Sequence, residues 1–193
     1  MKQLSTLTLF LFTISCTEIK PREVTAYFSL DSLFDAQSNL LLSDDYRLQK
    51  SAVVNADTAT ALFIPDCLEW INEFQVFRDL NINKPALIGQ YTPIIKPDPN
   101  SNLQILSYKA KSEELAVQQL NVYYLRQLEN IKRITASSQE RNSIFSAGKE
   151  AGIEFEKKDG QWKIKSFSLN GFQKMILQDS VLFVVKGTIL NPK

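Results

Sequence analysis

The sequence contains no histidine. That single absence removes Ser-His-Asp and Cys-His catalysis, His-ligated metal sites and imidazole pH switches. Cysteine is almost as scarce, with two residues in 193, Cys16 and Cys67. Six Gly and seven Pro exclude a collagen-like or low-complexity chain. An excess of one charge sign is missing too: Lys and Arg total 22 against 21 Asp and Glu. No strong field is therefore directed at nucleic acid or anionic lipid. P-loop, Rossmann glycine, Gly-x-Ser-x-Gly, Cys-x-x-Cys and calcium-loop patterns are all absent. What is present is 44% hydrophobic and 10% aromatic, with twelve Phe. This is the composition of an ordinary globular chain, and the length fits one domain.

The first residues differ from the rest. Lys2 supplies a positive charge, and Leu4 to Ile14 is an uncharged, mainly apolar stretch followed by Ser15-Cys16. A basic start, a short apolar stretch and a small residue before the cut are the parts of a secretory signal peptide. A helix over residues 4–14 would span about 17 Å, roughly half of a hydrocarbon core, which disfavours a permanent transmembrane helix. Thr13-Ile14-Ser15-Cys16 resembles the lipobox of bacterial lipoproteins. That resemblance implies diacylglyceryl transfer to the Cys16 thiol, cleavage before Cys16 and acylation of the new amine. An ordinary signal peptide with an incidental cysteine is the other reading. The expected organisation is a lipoprotein signal peptide over 1–15, a lipidated tether over 16–26 containing Pro21, and a single globular α+β domain over 27–193. Removal of Lys2 with the leader leaves a formally neutral chain. With Cys16 acylated, Cys67 has no disulfide partner and reads as a small buried apolar residue.

Ser29 can cap a helix carrying Asp31 in its first turn and Leu30, Leu33, Phe34, Leu40 and Leu41 near helical spacing, ending at Ser43-Asp44-Asp45. Gln49–Asn55 and Thr58–Ile64 read as strands about an Asn55-Ala56-Asp57 turn. A second helix is expected with Pro65 in its first turn, Asp66 and Glu69 at its positive end, and a face of Leu68, Ile71, Phe74 and Phe77 beside Trp70. It stops near Asn81, before Asn83-Lys84-Pro85, where Lys84 neutralises the helix end and Pro85 forbids continuation. Pro93, Pro97 and Pro99 read as a rigid surface loop. Leu103–Ala110, Leu115–Leu125, Ile131–Ser137 and Ser143–Ala147 are strand candidates. Asp159-Gly160 is the pair a type I′ hairpin turn prefers. It places Phe155 opposite Ile164, Glu156 opposite Lys163 and Glu154 opposite Lys165. A last hairpin turns at Asp179-Ser180, and the apolar run Val181–Val185 reads as a strand covered on both faces.

Few residue groupings offer chemistry. Asp44/Asp45 and Glu113/Glu114 are sequence neighbours whose side chains diverge. Glu69 and Glu73 lie one helical turn apart, with Lys84 near enough to approach, and read as a solvated helix edge. Lys157, Lys158, Lys163 and Lys165 serve hairpin register rather than an anion site. No catalytic group, cofactor or metal set is expected, and no enzyme activity.

Tyr27-Phe28 with Leu30 and Phe34, then Trp70, Glu73, Phe74 and Phe77, then Asp79-Leu80-Asn81-Ile82-Asn83-Lys84-Pro85-Ala86 and Tyr91, and later Gln173-Lys174, together resemble a family of uncharacterised lipoproteins typical of the Bacteroidota. The resemblance implies an outer-membrane address and no mechanism; the expected orientation toward the periplasm follows from Thr17 rather than Asp after Cys16 and from the lack of an acidic run behind it. The expected fold is α+β: two N-terminal amphipathic helices packed on a large, curved, mostly antiparallel sheet of roughly seven to nine strands. Such a sheet can curl into a half-barrel in the manner of lipoprotein carriers. The expected role is a membrane-anchored, non-enzymatic interaction or scaffold protein with an envelope partner. The alternative is a carrier or sensor holding an apolar ligand between sheet and helices. No nucleic-acid partner is expected.

Overall fold

The computed structural model describes residues 26–43 and 45–192. The expected leader, Cys16 and the expected tether before Ala26 lie outside them. Ser29 caps α1 (Leu30–Leu42) through a bond from the Ser32 amide, and Asp31 sits in its first turn. Strands β1 (Arg47–Val54) and β2 (Asp57–Phe63) form a hairpin about Asn55-Ala56. Asn55 takes φ 52°, a left-handed conformation that asparagine tolerates. Helix α2 (Cys67–Arg78) is held by a complete capping box. The Asp66 carboxylate accepts from the Glu69 amide and the Glu69 carboxylate accepts from the Asp66 amide, both at 2.8 Å. Pro65 therefore precedes the cap instead of occupying the first helical turn. The helix ends at Arg78, and that arginine, not Lys84, is the cation in its last turn.

Seven further strands follow: β3 (Tyr91–Pro97), β4 (Gln104–Ala110), β5 (Val117–Tyr124), β6 (Ile131–Arg141), β7 (Phe145–Lys158), β8 (Gln161–Met175) and β9 (Val181–Leu190). All nine strands join one antiparallel, open, curved sheet in the order β2-β1-β9-β8-β7-β6-β5-β4-β3. The α+β expectation holds, with two helices on one face. Pro93 and Pro97 lie inside β3 rather than in a loop. β3 is an edge strand, a setting in which a missing N–H is tolerated. The actual loop is organised by Asp98, whose carboxylate accepts from Ser101 Oγ at 2.7 Å and the Asn100 amide at 3.2 Å, with the Arg133 guanidinium 3.9 Å away. The Ser101 hydroxyl, then the Asn100 amide, hold this carboxyl below its ordinary value. A depressed folded pKa gives stability that is present above the unfolded value near 4 and is lost as pH falls through the folded one. Asp98→Asn is expected to lower Tm at neutral pH, and the gap to wild type is expected to narrow as pH falls below the ordinary carboxylate range. Parallel melting curves that keep a constant gap would contradict this.

The Asp159-Gly160 turn adopts φ 52° and 80°, as a type I′ turn requires. Pairing follows the expected register through Glu156↔Lys163 and Phe155↔Ile164. A bulge then intervenes, so Glu154 meets Ser166 and not Lys165, while Arg133 lies opposite Glu154 on β6. On the turn side of the bulge β9 no longer pairs with β8, whose shared register begins at Ser166↔Thr188. The buried Gln37 of α1 takes over there, donating to Trp162 O at 2.9 Å and accepting from the Ile164 amide at 2.8 Å. The final turn spans residues 176–180 rather than Asp179-Ser180 alone.

The core lies between the helices and one sheet face. In α2, Trp70, Phe74 and Phe77 are buried, while Leu68 and Ile71 are exposed. The inward stripe thus follows i, i+4, i+7 and not the every-third-residue row. Phe34 stacks on Phe74 at 5.0 Å, Trp70 stacks on Phe74 at 5.5 Å, and Phe167 of β8 meets Phe74 and Phe77 edge-on at 6.2 and 5.4 Å.

Three phenylalanines each cover a glycine directly opposite on the neighbouring strand: Phe167 over Gly187, Phe183 over Gly171 and Phe172 over Gly148. A Cβ on any of these glycines would lie within 2.6 Å of the ring above it. The glycines admit close approach of a ring to the backbone.

Candidate functional site

The candidate acid and lysine groups do not converge. Glu69 is committed to the capping box. Glu73 pairs with Lys50 of β1 at 2.7 Å, while Lys84 is exposed at the head of a short 3-10 turn. Glu113 and Glu114 are exposed in the β4–β5 connection, and Asp44 lies outside the described residues. Cys67 is exposed as the first residue of α2, which corrects the buried reading: it sits at the helix terminus, a turn before the buried stripe begins at Trp70. No group of three or more Cys, Asp or Glu suited to a metal ion occurs among the described residues. Lys163 is 5% exposed, with Nζ 3.0 Å from the Tyr46 hydroxyl and 5.0 Å from the centre of that ring. Lys158 reaches Asn191. The hairpin lysines thus take separate structural positions.

The Asn81–Asn83 segment has a positioning role that spacing alone did not reveal. Asn81 Oδ1 accepts from the Leu30 and Asn83 amides at 3.3 and 3.2 Å, and its Nδ2 donates to Asp31 at 2.6 Å. Asn83 Oδ1 accepts from the Tyr27 amide at 3.1 Å. The Phe28 amide donates to the Tyr108 hydroxyl at 3.0 Å, and the Tyr91 amide to the Tyr27 hydroxyl at 3.2 Å. Burial pushes the Tyr91 and Tyr108 phenols up, so they stay neutral donors and acceptors. Together these bonds fix where the chain enters the body: at the start of β3, beside β5, where Tyr91 donates to Val117 O at 2.9 Å.

Along a strand, side chains alternate between faces. On β9 the helix side carries Val181, Phe183, Val185, Gly187 and Ile189; Ile189 pairs with the buried Leu48, and Phe183 with Val54. Val181 lies opposite Gln173, two residues before Met175, which pairs with Phe145. The helices cover Leu48, Ile189 and Phe167 but leave this end of the face open. Val54, Met175 and Val181 are exposed, and Phe145, Phe183 and Val185 are half-buried. The 181–185 run is therefore not covered on both faces. The helices pack over the other rows, and the outward Leu182 is 58% exposed.

This open apolar corner is the candidate site. It can take apolar surface, with Asp57 opposite Val54 and Lys149 opposite Gly171 as charged neighbours on the same face. The opposite face of the central strands is polar. Gln119, Asn121, Thr135, Ser137, Glu150, Ser168 and Asn170 line a shallow recess of about 380 Å³ there. Asn121 bonds Ser107, Gln119 and Thr135 at 2.7, 3.0 and 3.2 Å, so its polar groups satisfy one another. Sequence reading identified the apolar run in β9. It missed the corner because Val54, Phe145 and Met175 reach it from three other strands.

No helix among the described residues is long and apolar enough to cross a membrane. No protein-family model matches the chain, and no curated protein matches it. Among solved structures, the chain is similar to a LolA-superfamily protein from Nitrosomonas europaea, with a TM-score of 0.30 and 8% identity over 86% of this chain and 94% of that one. A likeness at this level carries no argument about function.

Proposed function

We propose that this chain is a lipid-anchored envelope protein that binds without catalysing, held to a membrane through acylated Cys16 and presenting the open apolar corner to a protein partner. The lipobox-like Thr13–Cys16 and the resemblance to Bacteroidota lipoproteins support an outer-membrane address facing the periplasm. The observation that carries the binding role is the corner itself. Val54, Met175 and Val181 stand exposed beside the half-buried Phe145, Phe183 and Val185, and contiguous exposed apolar surface is the mark of a contact site. A second reading is favoured by the inner margin of the corner, where Phe183 and Val185 pack against the core. An acyl chain laid on Val54 and Val181 would extend that core, which is the geometry of an apolar-ligand carrier or sensor.

Two measurements test this. The mature N-terminus is expected to begin at Cys16 with added acyl mass; an unmodified Cys16 or Thr17 terminus would remove the anchor. A fluorescent fatty acid distinguishes the occupants of the corner. Saturable binding abolished by Val181→Glu supports the carrier reading. No binding, with Val181→Glu instead abolishing a specific envelope cross-link, supports the scaffold reading. Failure of both would reject the corner as a site.

A further inference from the structure

Three turns meet beyond the open corner: Asn55-Ala56, residues 142–144 and residues 176–180. They are tied together. The Ile176 amide donates to Ile144 O at 2.9 Å, the Asn55 amide to Leu182 O at 2.8 Å, and the Leu182 amide to Asn55 Oδ1 at 2.9 Å. Asn142 Oδ1 accepts from the Ile144 and Phe145 amides at 2.9 and 2.8 Å. The rim is thus a built structure.

Exposed apolar side chains stand on each side of it, beside the polar Asn142, Ser143, Gln178, Asp179 and Ser180 of the same turns. Met175 and Val181 point to the helix side, Phe172 and Leu182 to the outer side, and Ile144, Ile176 and Leu177 stand at the apex. Leu177 is 98% exposed and sits at φ 63°, a conformation uncommon for leucine. A protein partner seated on one face would leave the other face in water. An apolar medium surrounds all of them.

Where the chain enters the body fits a membrane as that medium. Tyr27 is docked on Tyr91, Tyr91 bonds Val117, and the Gln139 amide donates to Ala116 O. From Gln139, strand β6 runs directly to the 142–144 turn, about 16 Å away at the usual rise. The N-terminal segment therefore leaves the body at the same end of the sheet as the rim. Ten residues of chain reach about 35 Å at most, so an anchor at Cys16 keeps this end near the bilayer.

We infer that the apex formed by Ile144, Ile176 and Leu177, with Phe172 and Leu182 beside it, inserts into the hydrocarbon of the membrane that holds the anchor, and so orients the body with the open corner just above the lipid surface, still open to its partner. The orientation rests on the anchored reading proposed above; insertion of the apex does not. Arg141 and Lys174 near the rim are offset by Glu140 and Asp179, so contact is expected to be apolar and insensitive to salt.

The test places a nitrobenzoxadiazole probe on Leu177→Cys in the purified acylated protein carrying Cys67→Ser, with a second labelled variant, Gln127→Cys, at the opposite end of the sheet. The samples are mixed with phosphatidylethanolamine/phosphatidylglycerol vesicles (about 3:1) with and without brominated acyl chains. The expected result is blue-shifted emission at 177 and at least about threefold quenching by the brominated chains, unchanged by raised salt, with under about 20% change at 127. Equal quenching at both sites, or none at 177, overturns the inference. A shift at 177 that follows protein concentration without vesicles identifies a second copy as the occupant and also overturns it. Acyl mass on Cys16 is read separately. Mass without quenching rejects the apex alone, quenching without mass rejects the anchor alone, and absence of both rejects both.

Discussion

Trp70→Ala is expected to destabilise the protein by about 3–5 kcal/mol, the range for deleting a fully enclosed indole. Trp70 is 0% exposed, and its ring lies nearly parallel to Phe74 at 5.5 Å, with an interplanar angle of 19°. Phe74 in turn stacks on Phe34 of α1 and meets Phe167 of β8 edge-on. One side chain therefore supports both helices and their seat on the sheet. Removing it leaves a void that the flanking rings cannot fill without giving up contacts of their own. Against a total stability of about 5–15 kcal/mol, the loss brings the fold near its limit. For a chain of this size it lowers Tm by roughly 6–20 °C. Denaturant midpoints for Trp70→Ala and Trp70→Phe provide the check. The phenylalanine variant keeps a stacked ring and is expected to lose much less. A loss below about 1 kcal/mol for the alanine variant would mean that the helices are not seated through this residue.

Gly187→Ala is expected to cost about 1–3 kcal/mol or more although it adds one methyl group. The new Cβ would lie 2.2 Å from the tip of the Phe167 ring, a distance no real contact tolerates. The ring cannot swing clear, because Phe74 and Phe77 press on it edge-to-face from the helix layer. Phe167→Leu removes the obstacle, so the two substitutions are expected to be less damaging together than their separate costs imply, with a coupling of about 0.5–3 kcal/mol. Strict additivity would show that the ring does not occupy the space above Gly187. Gly160→Ala supplies the contrast. Nothing lies within 4 Å of its Cβ position, but its φ of 80° strains any L side chain, so no neighbouring substitution should rescue it.

The two cases also show what a reader of the sequence could and could not see. Asp159-Gly160 was legible because the turn chemistry and the pairing it sets are local, and the register held as far as Phe155↔Ile164. The α1 cap at Ser29 and the hairpin at Asn55-Ala56 were legible for the same reason. The bulge after Phe155 was not, since it answers to the place where β9 stops pairing and Gln37 takes over. Nor was the glycine at 187, whose partner is twenty residues away and known only once β8 and β9 are in register. In α2 the apolar pattern offered two overlapping rows, and only the sheet beneath decides that Trp70 points inward while Leu68 does not. The candidate site follows the same rule. The apolar run in β9 was plain, but whether anything lies over it depends on how far across the sheet two short helices extend.

The strand order has a kinetic consequence. Strands β3 to β9 form an unbroken meander in which each strand meets its predecessor, so this part can assemble by short loop closures. The β1–β2 hairpin, though made early in the chain, finds its place only against β9, the last strand, in pairs such as Leu48↔Ile189. Until β9 is in position, Leu48 pairs only with Phe63 of β2 and the hairpin remains a separate ribbon. The seam between β1 and β9 is therefore the slow step of assembly and the first place a nascent or clipped chain would come apart.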